Sequence, residues 1–208
     1  HPAPGLTAGT LVHRLLGRFP ALRNMDGARP GIVHRLDKDT TGLLVVALNE
    51  AARLSMAEDF AARRVQTTYL ALVHGLPDQD RAVIDVPIGR HPTLKTRMAV
   101  VPKGGRQALS AYRVLWSDPW KRFSLLAVRI QTGRTHQIRV HLSVLGHPLV
   151  ADVLYGGKPA WGLARQALHA IRLDLRHPVT DQPLSFEWGV PPDLSDAIAA
   201  AGLRYNGL

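Results

Sequence analysis

Gly31-Ile-Val-His-Arg-Leu-Asp-Lys-Asp-Thr-Thr-Gly42 concentrates the side chains best suited to chemistry, and it runs into the apolar stretch Leu43-Leu-Val-Val-Ala-Leu48. Asp37 and Asp39 stand among His34, Arg35 and Lys38, with two threonines and a glycine alongside. A carboxylate beside a guanidinium is favoured in its ionised form, the state a nucleophile or a base requires. The same residues also fit a plain polar turn, with an aspartate bonding its own backbone two residues on and Gly42 supplying a positive φ. Loops at the ends of rigid elements are where reactive groups are commonly mounted, so the elements around this one matter.

A second concentration is Thr132-Gly-Arg-Thr-His-Gln-Ile-Arg-Val-His-Leu-Ser-Val-Leu-Gly146. Thr135 is suited to cap a helix in which Ile138, Leu142 and Leu145 recur at helical spacing, and Gly146 with Pro148 closes it. The first amides of that helix, together with Arg134, His136 and Arg139, would form a site for an anion, either a phosphate or Asp37. No metal site is expected from His136, His141 and His147. The first two are five apart, off a common helical face, and no carboxylate completes a ligand set within the helix.

The remaining elements follow from periodicity. A helix is predicted from Thr10 to Gly17, a buried strand over 42–48, and a helix capped by Asn49 and running to about Arg64. Further strands are expected over 67–75, 82–86, 107–116 and 123–131, the last two as an antiparallel pair, with a basic loop at 91–98. Tyr69 lies in the first of these strands, where a half-buried core tyrosine is the plain reading.

The 208 residues suffice for one sizeable core or two small lobes. Lys and Arg total 26 against 16 acidic residues, a formal charge of +10, which points to a polyanion such as nucleic acid. A basic enzyme with scattered charge is the alternative. The chain contains no cysteine, so disulfides, thiolate catalysis and cysteine-based zinc sites are excluded. No apolar run is long enough to span a bilayer.

The loop from Gly31 through the Val-Val-Ala that follows it resembles the signature of the RluA-type pseudouridine synthases, in which the aspartate of His-Arg-Leu-Asp is catalytic. That places the role on Asp37. Thr67-Thr-Tyr-Leu-Ala-Leu-Val-His-Gly75 resembles the family's second motif, and the resemblance implies that Tyr69 stacks on the target base and is a candidate to remove its C5 proton. Thr132 to His141, followed by Leu145 to Gly156, resembles the third motif, and the resemblance makes Arg139 the ion-pair partner of the catalytic aspartate. Three departures stand out: Thr41 replaces the more frequent Ser, Thr67 replaces a frequent Lys, and Ala151 stands where Gly is usual.

The resemblance implies an α+β fold with a central mixed, largely antiparallel sheet, flanking helices and a catalytic cleft, in one catalytic domain covering 1–208. The native N-terminal part is expected to be missing, since His1-Pro-Ala-Pro-Gly5 resembles the middle of the family's first conserved segment. The expected activity is isomerisation of specific uridines without a cofactor or a metal. Arg35, Lys38, Arg134 and His136 are candidates to contact RNA. The expected partner is large-subunit ribosomal RNA, met by a monomer in the cytoplasm, away from membranes. A tRNA-directed synthase and a non-catalytic RNA-binding module of ribosome assembly are the alternatives.

Overall fold

The computed structural model describes residues 9–25, 27 and 29–208. The segment His1 to Gly5, singled out above for its resemblance, lies outside them. In chain order the elements are α1 (Leu11–Arg18), a 3-10 turn (Pro20–Asn24), β1 (Thr41–Gly42), α2 (Glu50–Ala61), β2 (Gln66–His74), β3 (Arg81–Asp85), β4 (Ile88–Arg90) and β5 (Met98–Val100). Then come β6 (Leu109–Ser117), β7 (Phe123–Ile130), α3 (Gln137–Val144), a second 3-10 turn (Val153–Tyr155), β8 (Leu168–Arg176), β9 (Pro183–Glu187) and α4 (Pro192–Ala200). The fold is α+β. Its main sheet has the order β1-β8-β2-β7-β6-β3, with β9 also on β8, and β4 and β5 form a separate hairpin. The β1–β8 contact is parallel, whereas β8–β2, β2–β7, β7–β6 and β6–β3 are antiparallel.

The chain groups into two compact units. One comprises the described residues up to Leu36 with 44–65 and 175–184; the other comprises 37–43, 66–174 and 185–208. In the first, Asn49 caps α2 by accepting from the Ala52 amide at 2.8 Å, and the helix stops at Ala61, three residues short of the expected Arg64. Its Ala52 and Met56 are buried.

The second unit contains the sheet. Leu70 and Leu72 of β2, Leu125 of β7 and Ile171 of β8 are fully buried against Leu194, Ala197 and Ile198 of α4. Each such side chain contributes about 1.5–3 kcal/mol by leaving water. Tyr69 and the residues in step with it face the opposite side, where Ser110 of β6 bonds His141 of α3 at 2.9 Å.

The expected strand over 42–48 is corrected. Only Thr41 and Gly42 join the sheet, and Leu43 adds one bond to the Ala170 carbonyl at 2.9 Å. Within the other unit Val46 makes a single bridge to Ile32, only Ala47 of the run is fully buried, and Leu48 is exposed. An uninterrupted apolar run reads as a strand covered on both faces, but here it is a half-buried crossing segment. The basic loop around 91–97 connects β4 to β5.

Candidate active site

Asp37 opens a tight turn in which the Thr40 amide donates to the Asp37 carbonyl at 3.1 Å. The segment entering β8 holds this turn in place. Gln166 Nε2 donates to the Lys38 carbonyl at 2.6 Å and to Thr40 Oγ1 at 3.1 Å, and Thr41 Oγ1 lies 2.8 Å from His169 Nδ1. Gly42 has φ 121°, and a Cβ there would sit 2.3 Å from the Ala170 carbonyl oxygen, so only glycine permits the parallel contact that ends the loop. Asp37 keeps little exposure, whereas Lys38 and Asp39 are exposed.

Arg139, buried on α3, faces that carboxylate, with Nη1 4.0 Å from Asp37 Oδ2. The two-armed grip of its guanidinium goes elsewhere: Nε and Nη2 each donate to a carboxylate oxygen of Asp152 at 2.8 Å. Burial by itself would lower the proton affinity of Arg139. The bonds and charge of Asp152, then the charges of Asp37 and Tyr155, reverse this and raise it. The guanidinium also lies over the Tyr155 ring, 4.9 Å from its centre. One fixed cation is thus shared by two carboxylates, the buried Asp152 and the partly open Asp37.

Tyr69, in β2, is buried. Desolvation, reinforced by the negative charge of Asp37, pushes its phenol well above the ordinary tyrosine range. The hydroxyl is therefore protonated at neutral pH, and it lies within the electrostatic reach of Asp37.

The anion site expected at the start of α3 is not assembled in that form. His136, not Thr135, is the N-cap, in left-handed backbone with φ 56°. The Gln137 side chain instead pins the turn before the helix to β6, accepting from the Arg134 amide at 3.0 Å and from Thr132 Oγ1 at 2.8 Å while donating to the Leu109 carbonyl at 3.0 Å. Arg134 turns its Nε to the Gln107 carbonyl at 2.9 Å. The His136 ring meets Tyr155 Oη at 2.7 Å, and the Met98 amide donates to the same oxygen at 2.9 Å. His136 thereby supports the ring under Arg139. Of the four proposed RNA contacts, Arg35 and Lys38 are exposed, while Arg134 and His136 are half-buried and tied to protein groups.

The three histidines weighed as ligands have separate partners. His136 bonds Tyr155, His141 bonds Ser110 and the Val86 carbonyl, and His147 bonds the His74 carbonyl. Among the described residues no group of three or more histidines, cysteines or carboxylates could hold a metal ion, and no helix is long and apolar enough to cross a membrane.

Asp152 and Tyr155 are the site residues that sequence reasoning missed. They lie 13 and 16 positions beyond Arg139, carried back by the 3-10 turn, and no helical or strand period links them to it. A further surprise is His34 of the signature loop, which lies in the other unit. Its Nε2 accepts from the Val45 amide at 2.9 Å and its ring stacks on Phe60 with centres 4.7 Å apart. Burial lowers its pKa to about 4, so it is a neutral structural clasp.

With this fold and this constellation in view, comparison with known proteins is decisive for class. Residues 16–144 match the family described as RNA pseudouridylate synthase, and the chain belongs to that family. It is 50% identical over 195 residues to an uncharacterized RNA pseudouridine synthase of Chloroflexus aurantiacus, covering 93% of this chain and 60% of that protein. It is 46% identical to the ribosomal large subunit pseudouridine synthase D of Nitrosomonas europaea, covering 96% of this chain and 59% of the relative. The chain therefore spans about three-fifths of the length of these two relatives. Among solved structures, human RNA pseudouridylate synthase domain containing 1 superposes with a TM-score of 0.70 at 35% identity, over 88% of this chain and 74% of that one.

Proposed function

We propose that this protein converts specific uridines of RNA, in large-subunit ribosomal RNA, to pseudouridine, with Asp37 as the catalytic carboxylate. The observation that carries the reading is the placement of Asp37, half-sheltered, 4.0 Å from a buried guanidinium, with its charge felt by the buried phenol of Tyr69. The family and the name of the Nitrosomonas europaea relative support the reaction and the substrate class.

The reaction breaks the bond between ribose C1′ and uracil N1, turns the ring and joins C1′ to C5. The C5 proton leaves and N1 gains one, so the product is an isomer and the balance requires no outside redox partner or group donor. The chemistry needs an ionised carboxylate, a surface for the extruded base and a pocket that retains the detached uracil. Asp37 supplies the first and the shared cation opposes its neutralisation. Extruding the base costs a few kcal/mol, and stacking on Tyr69 returns about 1–3 kcal/mol. A phenol so firmly protonated takes the C5 proton only by passing its own to Asp37. Arg35 and Lys38, exposed beside the carboxylate in sequence, would grip the RNA backbone.

The test is Asp37→Asn, assayed on large-subunit ribosomal RNA transcripts by pseudouridine mapping and by filter binding. The variant is expected to bind RNA as the wild type does and to form no pseudouridine. Product at the wild-type rate would move the chemistry to another residue.

A further inference from the structure

Tyr69 lies on one face of the main sheet; α4 covers the middle of the opposite face, and the part left open carries a charge pattern that the proposed reaction does not use. Arg81 of β3 stands directly across from Arg113 of β6, and Arg113 in turn faces Ala127 of β7. Two residues along β7, Arg129 is in register with Thr68 of β2, and Thr68 with Arg172 of β8. Cross-strand partners share a face and neighbours along a strand alternate, so all four arginines lie on the side away from Tyr69. They spread over four inter-strand steps, about 19 Å.

Like charges placed directly opposite in a sheet are destabilising, so the Arg81–Arg113 pair costs stability unless an anion lies between them. Arg81, Arg113 and Arg129 are exposed, and among the described residues none of them forms an ion pair or a side-chain hydrogen bond. Arg172 bonds Asp174 at 3.0 Å, and Asp85 at the far end of β3 is a further carboxylate in step on this face. Val83 and Trp116 add exposed apolar surface, 67% and 44% accessible; Trp116 is opposite Leu125, in step with Arg129. Unpaired guanidiniums interleaved with an open indole suit a strand of nucleic acid, whose phosphates take the cations and whose bases take the ring.

We propose that this arginine-bearing face is a second RNA-contacting surface, binding backbone phosphates at a distance from the uridine that reacts. The proposal rests on RNA being the substrate and adds a docking site that positions a large RNA without touching the chemistry.

The experiment compares the whole chain with the triple variant R81Q/R113Q/R129Q on a transcript of large-subunit ribosomal RNA. Dissociation constants are measured across salt concentration, and single-turnover conversion is measured at saturating RNA. The triple variant is expected to lose about 2–3 from the slope of log affinity against log salt, since each phosphate contact contributes about 0.7–0.9. Affinity should fall at least tenfold at 0.1 M salt, with the saturated rate unchanged. The charge-conserving R81K/R113K/R129K should keep the slope. If the triple variant unfolds, R113Q alone, which relieves the repulsion and should melt no earlier than wild type, decides by a slope change of about 0.7–0.9. An unchanged slope and affinity would overturn the proposal, and would leave an acidic protein as the partner for this face. A wild type that binds no RNA would overturn this proposal and the proposed function together. A wild type that binds with the arginine-dependent slope but makes no pseudouridine would overturn the function and keep the surface.

Discussion

Arg139 closes both arms of its guanidinium on Asp152 at 2.8 Å and reaches Asp37 with its remaining nitrogen at 4.0 Å. The carboxylate that orients the cation is therefore different from the one proposed to act on the substrate. Asp152→Ala should leave a buried, uncompensated guanidinium and cost about 3–5 kcal/mol in urea denaturation. Asp152→Asn preserves shape and one acceptor, so it should fold and bind RNA yet turn over more slowly because Arg139 is free to swing. Wild-type turnover in that variant would show that Asp152 is not needed to aim the cation.

Tyr69 separates two contributions cleanly. Tyr69→Phe keeps the ring and removes the hydroxyl, so RNA affinity should stay within about twofold while the rate falls by about 10²–10⁴ if the oxygen handles the C5 proton. Tyr69→Ala should weaken RNA binding as well, by about 1–3 kcal/mol. Full turnover in the phenylalanine variant would reduce Tyr69 to a stacking surface.

The clasp at His34 makes stability depend on pH in a defined direction. Its folded pKa is about 4 against an ordinary 6.5, so the unfolded chain binds the proton more readily. The contribution is complete above about pH 6.5, declines as pH falls toward 4, and amounts to roughly 3 kcal/mol at most. His34→Gln, which retains an acceptor for the Val45 amide but does not titrate, should flatten the loss of stability between pH 7 and pH 4. Equal slopes for variant and wild type in urea melts across that range would reject this account.

Ala151 has φ 60°, a left-handed conformation that costs an L-residue roughly 1–2 kcal/mol and glycine very little. This explains why the resemblance favours glycine at this position, one residue before Asp152. Ala151→Gly should raise the thermal midpoint by a few degrees, a change readable by calorimetry. A lower midpoint would mean that the alanine methyl, packed toward the core beneath α4, outweighs the strain.

What could be read from sequence was the part encoded locally. The polar loop around Asp37, the β-branched and aromatic content of β2 around Tyr69 and the helical spacing that places Arg139 on α3 all have short-range signatures. Asp152 and Tyr155 lack such a signature because a 3-10 turn returns them to Arg139. Thr135 is a sound capping residue by type, but the helix starts one residue later, behind His136 in left-handed backbone, with no side chain capping its first amides. The apolar run 43–48 misled because hydrophobicity alone cannot distinguish a strand from a segment leaving a sheet. Helix α4 was overlooked although Leu194, Ala197, Ile198 and Ala201 carry the right period behind Pro191 and Pro192.

The bond from Gln166 to the Lys38 carbonyl joins residues 128 positions apart. Contacts of such separation form late, because the intervening chain must first be gathered in. On a ribosome the aspartate loop would emerge 128 residues before its partner and remain without this bond until Gln166 followed. The loop that carries Asp37 thus lacks this fastening in any nascent chain that stops short of Gln166, and gains it only once that residue has been made.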